Sequence, residues 1–340
     1  MANSPVTSTS TFGAPLLHPA WDRAARFDLR SRPLFRQWIT VRPQSVTNNS
    51  NIFYLPKHRF LSVASDRHVL DEVIATDQVQ PGATTYVKLV LTEHGHRIGR
   101  TTFAGDTAYI PLDPVLSRQL NAHMADTLDL MVADELYSGA QTVNDGSEAG
   151  DSSESFPTAN LYTSNAGAAE NPAAANNTLT TSDVLSARIV RRLVAKLRGA
   201  SVPPIRGMLY QAIVHPDVSV DYQEDAGAVA WSEPHVNVDT SNVYSGETGV
   251  HAGAIFAETP RAEFLDDAGG SSIDVHQTVI FGGEALAEVV KREPGPGVGP
   301  LTDPYNRHLD IHWYGTLGFT TYRQESIYRV HHGFSGGQSG

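Results

Sequence analysis

The chain has no cysteine among its 340 residues. Disulfides, thiol nucleophiles and zinc–thiolate sites are therefore excluded, and with them the disulfide-stapled secreted scaffold. Any catalysis would fall to Ser, His or carboxylates. Charge is sparse, with 18% Asp, Glu, Lys and Arg, and hydrophobic residues make up 40%, a little under the globular norm. No apolar run approaches the ~20 residues that span a bilayer. The opening stretch, Met1 to Thr11, is Ser/Thr-rich without an apolar centre, so it does not read as a signal peptide. These absences predict a protein made and used in cytosol, with no membrane partner. Repeats at solenoid or propeller period are also missing.

Motifs for chemistry are equally thin. Gly333-Phe334-Ser335-Gly336-Gly337 spells G-x-S-x-G, but a nucleophile elbow needs a helix after the strained turn, and only a short tail follows. His94-Gly95-His96, His308 with His312, and His331-His332 have spacings common in strands and no flanking carboxylate to complete a ligand set. Asp266-Asp267, with Glu263 before them, lead into Ala268-Gly269-Gly270 and read as a solvated acidic loop. Gly295-Pro296-Gly297-Val298-Gly299 carries proline where a phosphate loop needs backbone donors. The sequence therefore predicts no catalytic residue, no cofactor and no metal.

What is present begins with charge placement. Net charge is −12, yet residues 1–60 hold eight Lys/Arg against Asp22 and Asp28. That segment is +6, which leaves −18 for the remaining 280 residues. Trp21, Phe27, Phe35 and Trp38 interleave arginines that include Arg23, Arg26 and Arg30. Aromatics with Arg are enriched at protein interfaces, so an arm that docks on an acidic neighbour is preferred over a nucleic-acid tail or a solvated edge.

With Gly 28 and Pro 20, turns should be frequent, and length allows one large domain or two ordinary ones. Residues 1–50 lack periodicity and read as an extended arm. Strand-like runs at 51–66 and 84–103 flank the turn Asp77-Gln78-Val79-Gln80-Pro81-Gly82, which suggests a long hairpin with a polar tip. In the second run Tyr86, Lys88 and Val90 share one face and Val87, Leu89 and Leu91 the other. A helix is predicted from Asp113 as N-cap, through Pro114 and the stripe Leu116, Leu120, Met124, Leu128, Met131, to a stop at Gly139. Residues 140–180 are rich in Ala, Asn, Ser, Thr and Gly, a composition that orders only against neighbours or stays a surface insertion. A second helix spans about Ser182 to Arg198, with Leu185, Ile189, Leu193 and Leu197 in one stripe, widened by Val190 and Val194. Its basic residues suit the C-terminal end of the helix dipole. Gly207 to His215 reads as a strand ending at Pro216. Val275 to Phe281 reads as a strand and Gly283 to Lys291 as a helix. Pro294-Gly295-Pro296-Gly297 reads as a loop, and His308 to Val330 is strand-like with aromatic bulk. Helices and strands without a regular βαβ rhythm argue α+β.

The order of these pieces resembles the major capsid proteins of tailed bacteriophages. The residues that carry the likeness are the hairpin, Leu70-Asp71-Glu72, the helix from Asp113, Leu197-Arg198-Gly199, Tyr210 to Pro216, Gly253 to Pro260, Val279 to Ala285, and Tyr322-Arg323-Gln324-Glu325-Ser326-Ile327. The resemblance implies an N-terminal arm (1–50), an extended hairpin loop (51–104), a peripheral domain with a long spine helix plus a polar insertion (105–180), an axial domain (181–292), and closing strands with a tail (293–340). It also implies a structural subunit, not an enzyme, which forms hexamers and pentamers around double-stranded DNA in the virion after synthesis in the host cytoplasm. Its partners would be a separate scaffolding protein, since only about fifty residues precede the hairpin, the portal, DNA held without sequence specificity, and a decoration protein where the head carries one. Arg23, Arg26, Arg30, Phe35, Trp38, Asp77, Gln78 and Pro81 are the expected assembly contacts. An extracellular carbohydrate-binding or carbohydrate-acting protein is the alternative, suggested by scattered aromatics and Gly/Asn/Ser loops, with the missing signal peptide and paired carboxylates against it.

Overall fold

Alternation of apolar and polar residues makes Thr84–Val90 a strand, β2, whose Val87 and Leu89 are buried while Val90 is exposed. In the computed structural model, which describes residues 31–43, 50–58, 84–108, 111–144, 151–164, 176–224, 247–300, 303–305 and 307–337, β2 pairs antiparallel with β1 (Ile52–His58). The register runs from Ile52 opposite Val90 to His58 opposite Thr84. The base of the expected hairpin is thus present. Its tip, with Asp77, Gln78 and Pro81, lies outside the described residues. The run to 103 does not stay in one sheet. After Leu91 it continues as β3 (Thr92–Thr101), pairs with β13 (His308–Thr321) in another sheet, and gives way to a short helix, α1 (Thr102–Thr107). The Thr101 hydroxyl accepts the Ala104 N–H at 3.2 Å and caps that helix.

The predicted long helix is α2 (Leu112–Ser138), 27 residues and about 40 Å long. It starts two residues earlier than expected, with Pro111 at the N-cap position. Asp113 does not cap it; its carboxylate instead receives Arg100 Nη2 at 2.7 Å. Pro114 sits in the first turn, where no intrahelical N–H is required. Gly139 ends the helix with φ +58°, and its N–H bonds the Glu135 carbonyl at 2.9 Å. Two faces are used in succession. Leu120, with Leu116 and Met124, packs on Ile98, Ile311 and Trp313. A turn or two further on, Val132, Ala133, Leu136 and Tyr137 pack on Ile213, Val279, Phe281 and Ile327.

A three-stranded sheet, β12 (Leu286–Val298), β13 and β3, runs along the first half of α2. Here the helix expected over Gly283–Lys291 and the loop expected at Pro294–Gly297 are both corrected, because after a turn at Gly283–Ala285 the chain from Leu286 to Val298 is one edge strand paired with β13. An edge strand tolerates proline because one side of its ladder is open. The register shifts between Val290 and Arg292 and between Arg292 and Gly295, and such bulges take up the prolines. Gly315 faces this segment across the pair. A Cβ there would come within 2.8 Å of Pro294 Cα.

The main core surrounds a seven-stranded sheet. Its order is β6 (Leu161–Thr163), β14 (Ile327–His332), β11 (Val275–Phe281), β7 (Tyr210–Val214), β9 (Ala254–Glu258) and β8 (Glu247–His251), with β10 (Phe264–Leu265) also on β11. β7 and β11 are buried along their whole lengths, as strands covered on both faces must be. One face carries α3 (Ala187–Gly199) and α4 (Pro216–Glu224), through Ile189, Val190, Leu193, Val194, Leu197, Val218 and Tyr222. The other carries the C-terminal half of α2. α3 begins later than the expected Ser182, because Asp183 turns back to accept Thr180 N at 2.8 Å and Thr180 Oγ1 at 2.7 Å. Pro216 does not end a strand into a loop; it opens α4, which suits proline at a first helical position.

The polar 140–180 stretch is ordered by its neighbours where it is described. β4 (Gln141–Asn144) and β5 (Asp151–Glu154) extend the hairpin into a four-stranded sheet, and β6 adds in parallel to β14. Gln324, 5% exposed, donates to the carbonyls of Gly139, Glu154 and Ser155. Backbone polar groups here find partners without a large apolar core. The fold is α+β, and its main sheet draws strands from three of the segments marked off by sequence. Among the described residues, no helix is long and apolar enough to cross a membrane.

Candidate functional site: the arm anchor and the surfaces around it

Residues 34–42 lie across α2 and the start of β12, fastened at two buried carboxylates. The first is Asp129, 1% exposed in the middle of α2. It accepts the backbone N–H groups of Leu34 at 3.0 Å, Phe35 at 2.6 Å and Arg36 at 3.3 Å, and Arg261 Nη1 at 3.3 Å. A 3-10 turn spans Phe35–Trp38, so one carboxylate from a distant helix satisfies the open donors at its N-terminus. Arg261 also pairs with Asp126 and donates to the Ser31 carbonyl at 3.2 Å. The second is Glu288 on β12, whose side chain is 2% exposed between Arg36, at 2.6 Å, and Arg42, at 3.0 Å. Arg36 reaches Glu293 as well, at 3.1 Å. Burial works against the Arg36 charge, yet the hydrogen bonds to Glu288 and Glu293 prevail and raise its pKa. Backbone pairing continues the attachment, with Glu288 N–H on the Val41 carbonyl at 2.9 Å.

The expected assembly contacts separate on this geometry. Phe35 is corrected: at 1% exposure it sits in the chain's own core, edge-on to Tyr137 with ring centroids 6.2 Å apart. Trp38 packs against the same cluster. The turn capped by Asp129 aims both inward, which leaves Phe35 no surface for a neighbour. Arg23, Arg26 and Arg30 lie outside the described residues. The described arm is therefore an anchor, and the basic, aromatic part of the arm precedes it.

The hairpin base is fixed to the same body. Leu55 and Val87 pack with Ala287 and Tyr322, and Tyr322 Oη donates to the Pro56 carbonyl at 2.8 Å. Tyr54 and Val90 remain exposed on the outer side. Between hairpin, α2 and β13 lies a cavity of about 900 Å³, lined by Lys88, Met131, Glu135, Glu154 and Phe319 among others. Burial raises the Glu135 pKa to about 7.

The serine and histidines considered for chemistry are dispersed, whereas Asp266 and Asp267 of the acidic loop lie with Asp274, their carboxylate oxygens within 4.8 Å of one another. Ser335 is bound to Asp221, its hydroxyl donating at 2.6 Å and its N–H at 2.8 Å, and no strand–turn–helix surrounds it. His331 and His332 point to opposite faces of β14. His331 Nδ1 meets Asn176 Oδ1 at 2.8 Å, while His332 Nδ1 donates to the Gly333 carbonyl and Nε2 meets Thr278 Oγ1. Burial lowers both imidazoles to about 4. His96 stacks on His123 at 4.6 Å, not on His94. The structure instead brings His215, Asp217 and His276 together, with the ligand atoms all within 4.8 Å of one another. His276 too is lowered to about 4, by burial first. Sequence reasoning missed this group because His215 and His276 are joined only by the β7–β11 pairing.

No family model matches the chain, and no curated protein does. Solved structures do. The "Cyanophage Pam1 capsid asymmetric unit" superimposes with a TM-score of 0.76 at 14% identity, covering 99% of this chain and 100% of that one. The "Capsid of Ralstonia phage GP4" gives 0.67 at 14% identity over 98% of each chain. The "Capsid structure of the Cyanophage P-SCSP1u" gives 0.62 at 14% identity, over 98% of this chain and 97% of that one.

Proposed function

We propose that this chain, which has the fold of tailed-phage capsid proteins, is the structural subunit of an icosahedral head: it assembles into hexamers and pentamers and encloses double-stranded DNA. The observation that carries the reading is the end-to-end superposition on a phage capsid chain, 99% of one on 100% of the other. A likeness confined to one sheet would support only a shared core. This one takes in the arm anchor, hairpin base, long helix and closing strands together. The two anchors support it further, because an arm and a hairpin rooted firmly in one body can transmit contacts to the next.

A shell subunit turns over no substrate, and its acidic remainder, −18 outside residues 1–60, disfavours trapping DNA on the wall, since basic surfaces bind phosphate without sequence preference. The partners proposed are a separate scaffolding protein, the portal, packaged DNA held non-specifically, and a decoration protein. The protein would reside in the virion, after a period in the host cytoplasm. Co-expression with the scaffold gene of the same genome, followed by electron microscopy, tests the proposal. Closed shells or capsomer rings are expected. A species that stays monomeric under all such conditions would overturn it.

A further inference from the structure

We infer that His215, Asp217 and His276 form a binding site for one divalent transition-metal ion of the zinc class. The donors come from three neighbouring pieces of backbone. His215 follows the end of β7, Asp217 lies in the first turn of α4, and His276 is on β11, which pairs with β7 through Ile213 opposite Val279. The sheet register therefore puts the two imidazoles side by side, with ring centroids 4.9 Å apart.

The spacing fits a first coordination sphere. Bonds of about 2.0–2.1 Å to nitrogen and oxygen in a tetrahedron place neighbouring donors about 3.3 Å apart. His215 Nδ1 and Asp217 Oδ2 are already 3.2 Å apart. The remaining donor is within 4.8 Å of both, so a side-chain adjustment of about 1.5 Å closes the set, small against rotamer freedom. Two imidazoles and one carboxylate favour zinc, cobalt or nickel over calcium or magnesium, which prefer all-oxygen sets. Three protein donors leave a fourth position for water.

The surroundings admit a cation. Burial is the largest influence on both imidazoles and works against positive charge, while Asp217 and Glu258 at His215, and Asp217 and Asp274 at His276, work for it. Negative charge where the donors converge also offsets the positive end of the α4 dipole. His276 is 1% exposed and held between the rings of Phe334, His332 and Phe264, which fixes its orientation as outer partners of a metal ligand do. Asp217, by contrast, has its side chain 40% exposed and gives an ion a route in from solvent. The ion would tie the β7–α4 turn to β11, the central strand beside it. This inference does not depend on the proposed function.

Titration of the chelator-treated full chain with Zn²⁺ in a calorimeter, repeated with Co²⁺ by visible absorption, tests it. The expected result is saturable binding of one ion per chain, cobalt bands of a nitrogen–oxygen site, and a rise in melting temperature on adding Zn²⁺. Asp217→Asn and His215→Gln should each weaken binding roughly tenfold or more, while His94→Gln leaves it unchanged. Asp217→Asn keeps the half-exposed surface intact, and metal-free melting shows whether each variant is folded. Binding that is absent in the wild type, or that survives both substitutions undiminished, overturns the inference.

Discussion

Asp129 is a charge in an almost dry place, and four donors explain why it is tolerated. Three arm N–H groups and Arg261 use its oxygens. Removing one member of such a group leaves the others buried and unpaired, which costs about 3–5 kcal/mol. Asp129→Ala should therefore lower unfolding stability by about 3 kcal/mol or more and speed amide exchange at Leu34–Arg36. A urea midpoint close to wild type would show that the arm is held by Phe35 and Ile39 alone. Titration makes a second residue-scale prediction. His276, His331 and His332 fall from 6.5 to about 4 on folding, so between those values the unfolded chain binds more protons. Stability is then full above pH ~6.5 and is lost as pH falls toward 4. Glu135 opposes this, because its pKa rises from 4.5 to about 7 and the folded chain holds that proton more tightly across much of the same window. His215 is lowered as well and Glu263 raised, so the imidazoles still outnumber the carboxyl groups and stability should rise with pH across the window. Urea midpoints at pH 5, 6 and 7.5 should climb in that order; a flat or falling series contradicts it.

At the scale of elements, the described part of the arm is bound into the body. Residues 34–42 belong to the core through Phe35, Ile39 and the Glu288 pairs. Deleting residues 1–30 should leave circular dichroism and cooperative melting nearly intact but abolish shells. Deleting residues 1–42 removes a fully buried Phe, worth about 3–5 kcal/mol alone, and should lower the melting temperature steeply or prevent folding. Equal melting of the two truncations would show that residues 31–42 add nothing to the stability of the body. The same reasoning explains β12. Its Leu286, Ala287, Glu288 and Val289 are buried on consecutive positions, a pattern of a covered strand and not of a helix stripe.

For the whole molecule, the long helix links two cores, one on the seven-stranded sheet and one on the three-stranded sheet. The hairpin and arm are rooted at their junction. If the chain assembles as proposed, its neighbours add stability by mass action. Assembled particles should therefore melt above the free subunit in calorimetry, with a free-subunit transition that does not move with concentration. Identical transitions for both would mean that neighbours add nothing to the fold.

Much of this was legible in local pattern. The alternation at Val87, Leu89 and Leu91, the Gly139 stop and the Leu185-to-Leu197 stripe each depend on neighbours within a few residues, and periodicity reports those directly. The order of such pieces also sufficed to suggest the capsid fold. Gly283–Lys291 was not legible, because an apolar run flanked by Gly suits either state and only pairing with β13 chooses the strand. Phe35 looked like an interface aromatic because nothing near it in sequence reveals Asp129, 94 residues away. His215, Asp217 and His276 were invisible for the same reason. Short-range preferences are written along the chain, whereas which buried carboxylate meets which donor, and which imidazoles become neighbours, depends on sheet register and layer packing that no local window contains.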